Sequence, residues 1–327
     1  MAPSLVSDDS TPVSPPAEKP TVYLLDDFHP EVMTFCKQNF NIIPRSHPEN
    51  ANWRQNARYL LVRSSYVTAE DIKAAPNLLA IGKQGVGIDK INAEACQARG
   101  IPILNTPGAN AQAVAEQVLT LTMAVARQVG SILAKQTSGT LVPKEKCSGL
   151  TIRGKTIGIL GMGHVGKAVA RIFHGGLGAH VIAYDPFLPP DAWADIPHTR
   201  AERLEDIWSD ADIITVHMPL TPQTRGFIAY PQLRSMKRTA IVINTARGGI
   251  IDEKDLERAL SEGLIWGAGL DCHEEEPPSK ERYGALWDLG VVSTPHVGAA
   301  TSETQALTGM TAAKRLLEFA QQRTGGI

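Results

Sequence analysis

The sequence predicts an α/β protein built on parallel, doubly wound sheets, and three observations carry that reading. Short apolar runs alternate with stretches of helical periodicity. The runs fall into two series separated by a long apolar helix. A glycine loop, Gly161-Met-Gly163-His-Val-Gly166, directly follows the first run of the second series. The first series comprises Val22-Tyr-Leu-Leu25, Tyr59-Leu-Leu-Val62, Leu78-Leu-Ala-Ile81 and Ile101-Pro-Ile-Leu104, enough for one small parallel sheet. The second runs through Thr156-Ile-Gly-Ile-Leu160, Val181-Ile-Ala-Tyr184, Asp212-Ile-Ile-Thr-Val216, Ala240-Ile-Val-Ile243, Trp266-Gly-Ala-Gly-Leu270 and Val291-Val-Ser293, a full doubly wound set. Between them, Gln112 to Arg127 is apolar around nearly its whole circumference and reads as a buried helix joining two domains. Residues 128 to 153 are polar, carry Gly and Pro, and yield no element; they fit either an excursion into a partner subunit or a surface loop. From Thr301 the chain reads as helix, with Ser302 and Gln305 at capping-box spacing.

A chain of 327 residues, 43% hydrophobic and 20% charged, is long enough for two domains. Its formal net charge of -2 gives no electrostatic reason to expect a nucleic acid or an acidic membrane as partner. No apolar run approaches the roughly 18 to 20 residues of a membrane helix. Met1 to Pro20 lacks the features of a signal or transit peptide and reads as a disordered tail. Cys36, Cys96, Cys147 and Cys272 form no close pair and no metal-ligand spacing. Free thiols, a cytoplasmic setting and no metal centre are therefore expected.

The glycine loop can be read residue by residue. Gly161 permits a tight turn after the strand, Gly163 lets backbone approach a pyrophosphate, and Gly166 allows the next helix to pack closely. The phosphate would sit on that helix's N-terminus. The following strand ends at Tyr184-Asp185, where an acid accepts hydrogen bonds from ribose hydroxyls and repels a 2′-phosphate, favouring NAD over NADP; the alternative is a strand-end cap before Pro186, and the glycine loop upstream favours the cofactor role. Arg247, in Asn-Thr-Ala-Arg-Gly-Gly, follows a strand and has the planar fork that takes a carboxylate bidentately, unless it pairs with Asp252. His296, in Thr-Pro-His-Val-Gly, can exchange a proton near neutrality. A carboxylate beside it would orient the ring and stabilise its cation. Glu274, Glu275 and Glu276 all qualify by composition. A guanidinium, a carboxylate and an imidazole downstream of a dinucleotide loop suit reduction of a 2-keto acid to a 2-hydroxy acid.

The segments Ile157 to Gly166, Val216 to Thr221, Val242 to Gly249, Gly269 to Pro277 and Pro295 to Ala300 resemble the D-isomer-specific 2-hydroxyacid dehydrogenase family, and the likeness runs from about residue 20 to the C-terminus. It implies two Rossmann/flavodoxin-like domains, the first discontinuous: a substrate-binding domain of residues 21–110 and 297–327, and an NAD-binding domain of residues 111–296. It selects Glu276, five positions after Asp271, as the catalytic carboxylate beside His296 and Arg247. It further implies cofactor contacts at His164, Val165, Met218, Pro219, Thr224, Thr245, Ala246, Asp271, Gly298 and Ala299, and a homodimer around the buried helix. Lys83-Gln-Gly85-Val86-Gly87 resembles the loop whose amides at Val86 and Gly87 hold the substrate carboxylate. Arg63, Ser64 and Lys83 match the substrate side of the phosphoglycerate dehydrogenase subgroup, although Lys90 stands where that subgroup commonly has Asn. The chain ends at Ile327, so feedback through a C-terminal regulatory domain is not expected. Two alternatives remain: an NAD(H)-sensing corepressor-like scaffold, and a hydroxypyruvate or glyoxylate reductase using NADPH. A formate dehydrogenase would pair its His with Gln rather than Glu276.

Overall fold

The computed structural model describes residues 19–189 and 191–324. Most of the segment expected as a disordered tail lies outside them. The chain divides into two compact units, one comprising the described residues up to Asn105 and from Gly309 on, the other Thr106–Thr308.

The first unit holds a five-stranded sheet in the order β2-β1-β3-β4-β5. Its strands are β1 (Thr21–Leu24), β2 (Asn41–Ile43), β3 (Tyr59–Val62), β4 (Ala80–Lys83) and β5 (Ile103–Leu104), all paired in parallel. That order is the flavodoxin-like one. Helices α1 (Pro30–Asn39), α2 (Trp53–Asn56), α3 (Ala69–Lys73) and α4 (Ala93–Ala98) join the strands. Strand β3 is buried along its whole length, which explains its unbroken apolar run. Its residues alternate between two cores. Leu60 and Val62 pack with Tyr23 and Ile81 on one face, and Tyr59 and Leu61 with Val22 and Leu24 on the other.

The second unit holds α5 (Ala111–Ala126), α6 (Val129–Thr137), β6 (Thr156–Leu160), α7 (His164–Leu177), β7 (His180–Tyr184), β8 (Thr199–Arg200), α8 (Leu204–Asp210) and β9 (Ile213–Val216). It continues with α9 (Tyr230–Ser235), β10 (Ile241–Asn244), α10 (Glu253–Ser261), β11 (Gly267–Leu270), α11 (Lys280–Asp288) and β12 (Val292–Ser293). The seven strands lie in the order β12-β11-β10-β9-β6-β7-β8, a dinucleotide-binding order with one extra strand at its end. The chain reverses direction across the sheet between β6 and β9. On one face, Ile157, Ile159, Ile213, Ile241 and Ile243 meet Val118 and Leu121 of α5 and Val169 and Phe173 of α7. Burying a side chain such as Phe173 contributes roughly 1.5–3 kcal/mol.

The α/β class and both doubly wound sheets are as expected, with local differences. Strands β2 and β8 have no counterpart in the sequence reading, being edge strands of only three and two residues. Residues 128–153 contain α6, entered through Gln128 in the left-handed region at φ 55°, and a single turn of 3-10 helix at Lys144–Lys146. Helix α5 buries nine of its 16 residues and exposes a stripe of Gln112, Glu116 and Thr120, the rest being half-buried. At the start of the final helix, α12 (Ser302–Thr324), Thr304 N donates to Thr301 Oγ1 at 3.2 Å. The second unit ends at Thr308, beyond the expected limit of residue 296, and the amides of Val297 and Gly298 are held by Asp271 of that unit.

Candidate active site

Strand register aligns the site. Leu160 pairs with Tyr184 and Val216, Val216 with Asn244, Asn244 with Leu270, and Leu270 with Ser293. The strands β6, β7, β9, β10, β11 and β12 therefore end almost flush. The residues that follow, Gly161, Asp185, His217, Thr245, Asp271 and Thr294, share one carboxyl edge, where ligands of doubly wound sheets bind.

At the point where strand order reverses, the glycine loop turns from β6 into α7 with Gly161 at φ 100°, a left-handed value that a side chain would strain. A Cβ on Gly166 would overlap the Gly161 carbonyl oxygen, so glycine is required for α7 to start this close to the strand. The Cβ site of Gly161 lies 2.9 Å from His217 C and O, bringing the backbone before Met218 and Pro219 against the loop. Gly163 caps α7 without a side chain, which leaves the first amides of a 14-residue helix as an anion cradle. Asp185 accepts from Met162 N at 2.9 Å and from Phe187 N at 2.9 Å. It is thus both a strand-end cap and tied to the glycine loop, with lone pairs remaining on each oxygen. Thr224 Oγ1 donates to Pro219 O at 2.6 Å and accepts from Thr221 N at 2.8 Å, closing the loop after β9. Thr245 is 7% exposed, and its Oγ1 has no hydrogen-bond partner among the described residues. An uncapped helix start, an acid at the neighbouring strand end and an orphan hydroxyl at the same sheet edge fit a dinucleotide.

Glu276 and His296 form a pair: both carboxylate oxygens lie 3.0 Å from His296 Nδ1. Their side chains are 35% and 43% exposed. Burial alone pushes the Glu276 carboxyl up, but the hydrogen bond and charge of His296 and the His273 amide outweigh it and hold the carboxyl below its ordinary 4.5. Glu274 pairs instead with Arg282 at 3.4 Å, and Glu275 N donates to the Tyr283 hydroxyl at 2.9 Å.

His296 is a non-glycine residue at φ 57°, a conformation that persists only where its surroundings impose it. Asp271, 1% exposed, supplies that constraint. Its carbonyl accepts from His296 N at 2.7 Å, while its carboxylate accepts from Thr294 Oγ1 at 2.6 Å and from the amides of Val297 and Gly298 at 2.8 Å each. Gly298 is needed there, since a Cβ would stand 2.9 Å from Asp271 Oδ2.

Arg247 is half-buried after β10, and its guanidinium donates to Ala246 O at 2.6 Å. Asn244 fixes this loop, donating to Arg247 O at 2.8 Å and accepting from Ala246 N at 3.0 Å. A Cβ on Gly248 would overlap the backbone carbonyl of His273, so the arginine loop lies directly against the loop that carries Glu276.

In the first unit, Asp26 gathers the loop after β3. Its carboxylate accepts from the amides of Arg63, Ser64 and Ser65 at 2.6, 3.0 and 3.2 Å. Burial pushes this carboxyl up, and the three amides more than reverse the effect. The Arg63 and Ser64 side chains stay exposed. Lys83, expected among the substrate contacts, is 7% exposed and donates to Arg63 O at 2.8 Å and Gln84 O at 2.5 Å. Its ammonium therefore braces the two loops after β3 and β4. Val86 is 41% exposed, and its carbonyl accepts from Asn105 at 2.8 Å.

Residues 119–298 match the profile of the D-isomer specific 2-hydroxyacid dehydrogenase NAD binding domain. Over 263 residues, 80% of this chain, the sequence is 38% identical to a D-3-phosphoglycerate dehydrogenase of Methanocaldococcus jannaschii, of which it covers 49%. The chain belongs to the D-isomer specific 2-hydroxyacid dehydrogenase family. It is also 38% identical over 261 residues to a hydroxypyruvate reductase of Thermotoga maritima, covering 79% of this chain and 83% of that protein. The NAD⁺-bound 3-phosphoglycerate dehydrogenase of Entamoeba histolytica superposes with a TM-score of 0.76 at 26% identity, covering 93% of this chain and 96% of the other. This chain spans about half the length of the curated phosphoglycerate dehydrogenase it matches.

Several residues that hold the loops of the two units in place were absent from the sequence reading. Asn244 stood in a quoted motif without a role, although an Asn at a strand end commonly bonds the backbone two or three residues on. Asp26, Thr294 and His273 had no distinguishing local signal. His273 is 3% exposed with Nε2 2.8 Å from Ser293 Oγ, its Nδ1 has no hydrogen-bond partner among the described residues, and burial pushes its imidazole below the ordinary 6.5.

Proposed function

We propose that this protein is an NAD-linked dehydrogenase that interconverts a small 2-keto acid and its D-2-hydroxy acid. The observation that carries the reading is the Glu276–His296 pair at the same sheet edge as the glycine loop and Arg247. The nicotinamide supplies or accepts the hydride. The amides opening α7 hold the pyrophosphate, Asp185 takes the adenosine ribose hydroxyls, and Met218, Pro219 and the closed loop at Thr224 form the adenine side. Thr245, Ala246, Gly298 and Ala299 lie on the carboxyl edge where the nicotinamide half binds. Arg247 orients the substrate carboxylate, which selects the face of the neighbouring carbonyl. His296 gives a proton to the carbonyl oxygen in reduction and recovers it in oxidation, while Glu276 on Nδ1 fixes the tautomer and stabilises the imidazolium.

From the first unit, the amides of Val86 and Gly87 and the exposed Arg63 and Ser64 are the substrate-side groups. Lys83 acts through the loop it braces. With Lys83 committed to carbonyls, Arg63 is the group we assign to any substrate phosphate. A homodimer through α5 and α6 is supported by α6, which buries no residue yet exposes Val129 and Leu133 at 41% and 54%. A cytoplasmic setting agrees with four free cysteines. No single described helix is long and apolar enough to cross a membrane.

The test is initial rates of NADH and NADPH oxidation with phosphohydroxypyruvate, hydroxypyruvate, glyoxylate and branched or aromatic 2-keto acids. NADH-dependent turnover of a small polar 2-keto acid is expected. A preference for phosphohydroxypyruvate that Arg63→Ala abolishes would make the substrate the phosphorylated acid. No turnover of any keto acid with either coenzyme would overturn the reading.

A further inference from the structure

We propose that Cys272, Glu276 and His296 form a site for a thiophilic divalent cation of the zinc class, and that filling it switches the enzyme off. One thiol sulfur, one carboxylate oxygen and one imidazole nitrogen lie within 4.8 Å of one another. These residues occupy positions 272, 276 and 296, a spacing with no metal signature in sequence; β11 and β12 bring them together. Thiolate, imidazole and carboxylate together form a donor set suited to Zn²⁺, with a fourth position left for water. At zinc bond lengths such ligands stand roughly 3.4 to 3.7 Å apart in a tetrahedron. The side chains of Glu276 and His296 are 35% and 43% exposed and leave the cation a way in. Cys272 is the buried third of the set, and its Sγ donates to Ala246 O at 3.4 Å.

Charge favours the same cation. A thiolate and a carboxylate neutralise a divalent ion, so capture leaves no net charge in a partly buried place. On binding, the Cys272 proton leaves to water, the sulfur–metal bond forms, and nothing is oxidised or reduced. Inhibition follows whichever ring nitrogen of His296 is taken: Nδ1 is the atom that faces Glu276, and Nε2 is the atom left to exchange the substrate proton. This consequence rests on the proposed function, whereas binding of the ion does not.

Two measurements separate those claims. The purified protein without coenzyme is titrated with Co²⁺ and followed by thiolate-to-cobalt charge-transfer absorption. A chelator-reversible band is expected in the wild type and in Cys147→Ala, which changes an exposed thiol elsewhere, and not in Cys272→Ala or Cys272→Ser. Thermal melting checks that the variants are folded. No band in folded wild type, or an undiminished band in Cys272→Ala, overturns the site. Zn²⁺ is then titrated against keto-acid reduction. Cys272→Ala should keep its basal turnover while needing more zinc for half-inhibition, by at least the roughly 10- to 100-fold that loss of a supporting partner costs a metal site. Equal zinc sensitivity in wild type and Cys272→Ala overturns the switch. A cobalt band without any keto-acid turnover would sink the dehydrogenase reading and leave the metal site standing.

Discussion

Both carboxylate oxygens of Glu276 face His296 Nδ1 at 3.0 Å, so the imidazole is held by a carboxylate on that side of the ring. Glu276→Gln retains the shape and removes the charge. A fall in kcat of about 10²-fold or more is expected from steady-state kinetics, with NADH affinity unchanged. The pH dependence has a definite sign. The folded-state Glu276 carboxyl lies below its ordinary 4.5, so the stability gained from the pair is complete above that value and disappears as pH falls through the lower folded-state pKa. The stability difference between wild type and Glu276→Gln, measured by urea unfolding, should therefore narrow as pH falls below about pH 4.5.

Asp271 holds the turn carrying His296 through one carbonyl and two carboxylate oxygens. Asp271→Asn would point an amide N–H₂ at groups that are themselves donors. A loss of about 1–3 kcal/mol of unfolding free energy is expected, together with a drop in kcat of up to about 10²-fold from a displaced His296. Because Asp271 spends its carboxylate on protein groups, the NADH dissociation constant should stay within the wild-type range. A kcat unchanged beside a large rise in that constant would make Asp271 a cofactor ligand instead.

Gly248 has no room for a side chain against the His273 carbonyl. Gly248→Ala must push the arginine loop and the Glu276 loop apart, at about 1–3 kcal/mol. The KM for the keto acid should rise and kcat fall in the same variant, and a wild-type stability and rate would show that the two loops need not touch.

Asp185→Ala removes the acid at the end of β7. With one charge-assisted hydrogen bond lost, kcat/KM for NADH should fall about 10-fold or more while NADPH is favoured relative to NADH. An unchanged coenzyme ratio would leave Asp185 with only its structural bonds to Met162 and Phe187.

Much of this was legible because parallel strands buried on both faces write continuous apolar runs: Tyr59–Val62 and Thr156–Leu160 have the same limits in sequence and structure. Thr199–Arg200 at the sheet edge carries no such run, so periodicity could not reveal it. Helix α6 was hidden by its lack of any buried face. In the candidate site, the residue types at Arg247, Glu276 and His296 pointed to the proposed chemistry, while the choice among three adjacent glutamates rested on the family's spacing. At Lys83 the sequence shows a charge and not its burial; the fold places its ammonium on the carbonyls of Arg63 and Gln84. Asp271 was read as a neighbour of the cofactor, and its bonds to Thr294, Val297 and Gly298 exist only once β11 and β12 lie side by side.

The most direct test of His296 as the proton-exchanging group is His296→Ala, with NADH binding followed by fluorescence and 2-keto acid reduction by initial rates on the same preparation. NADH should bind as in the wild type while turnover falls by about 10² to 10⁴-fold. A variant that binds NADH and still reduces the keto acid at a rate near wild type would remove His296 from the chemistry and contradict the mechanism.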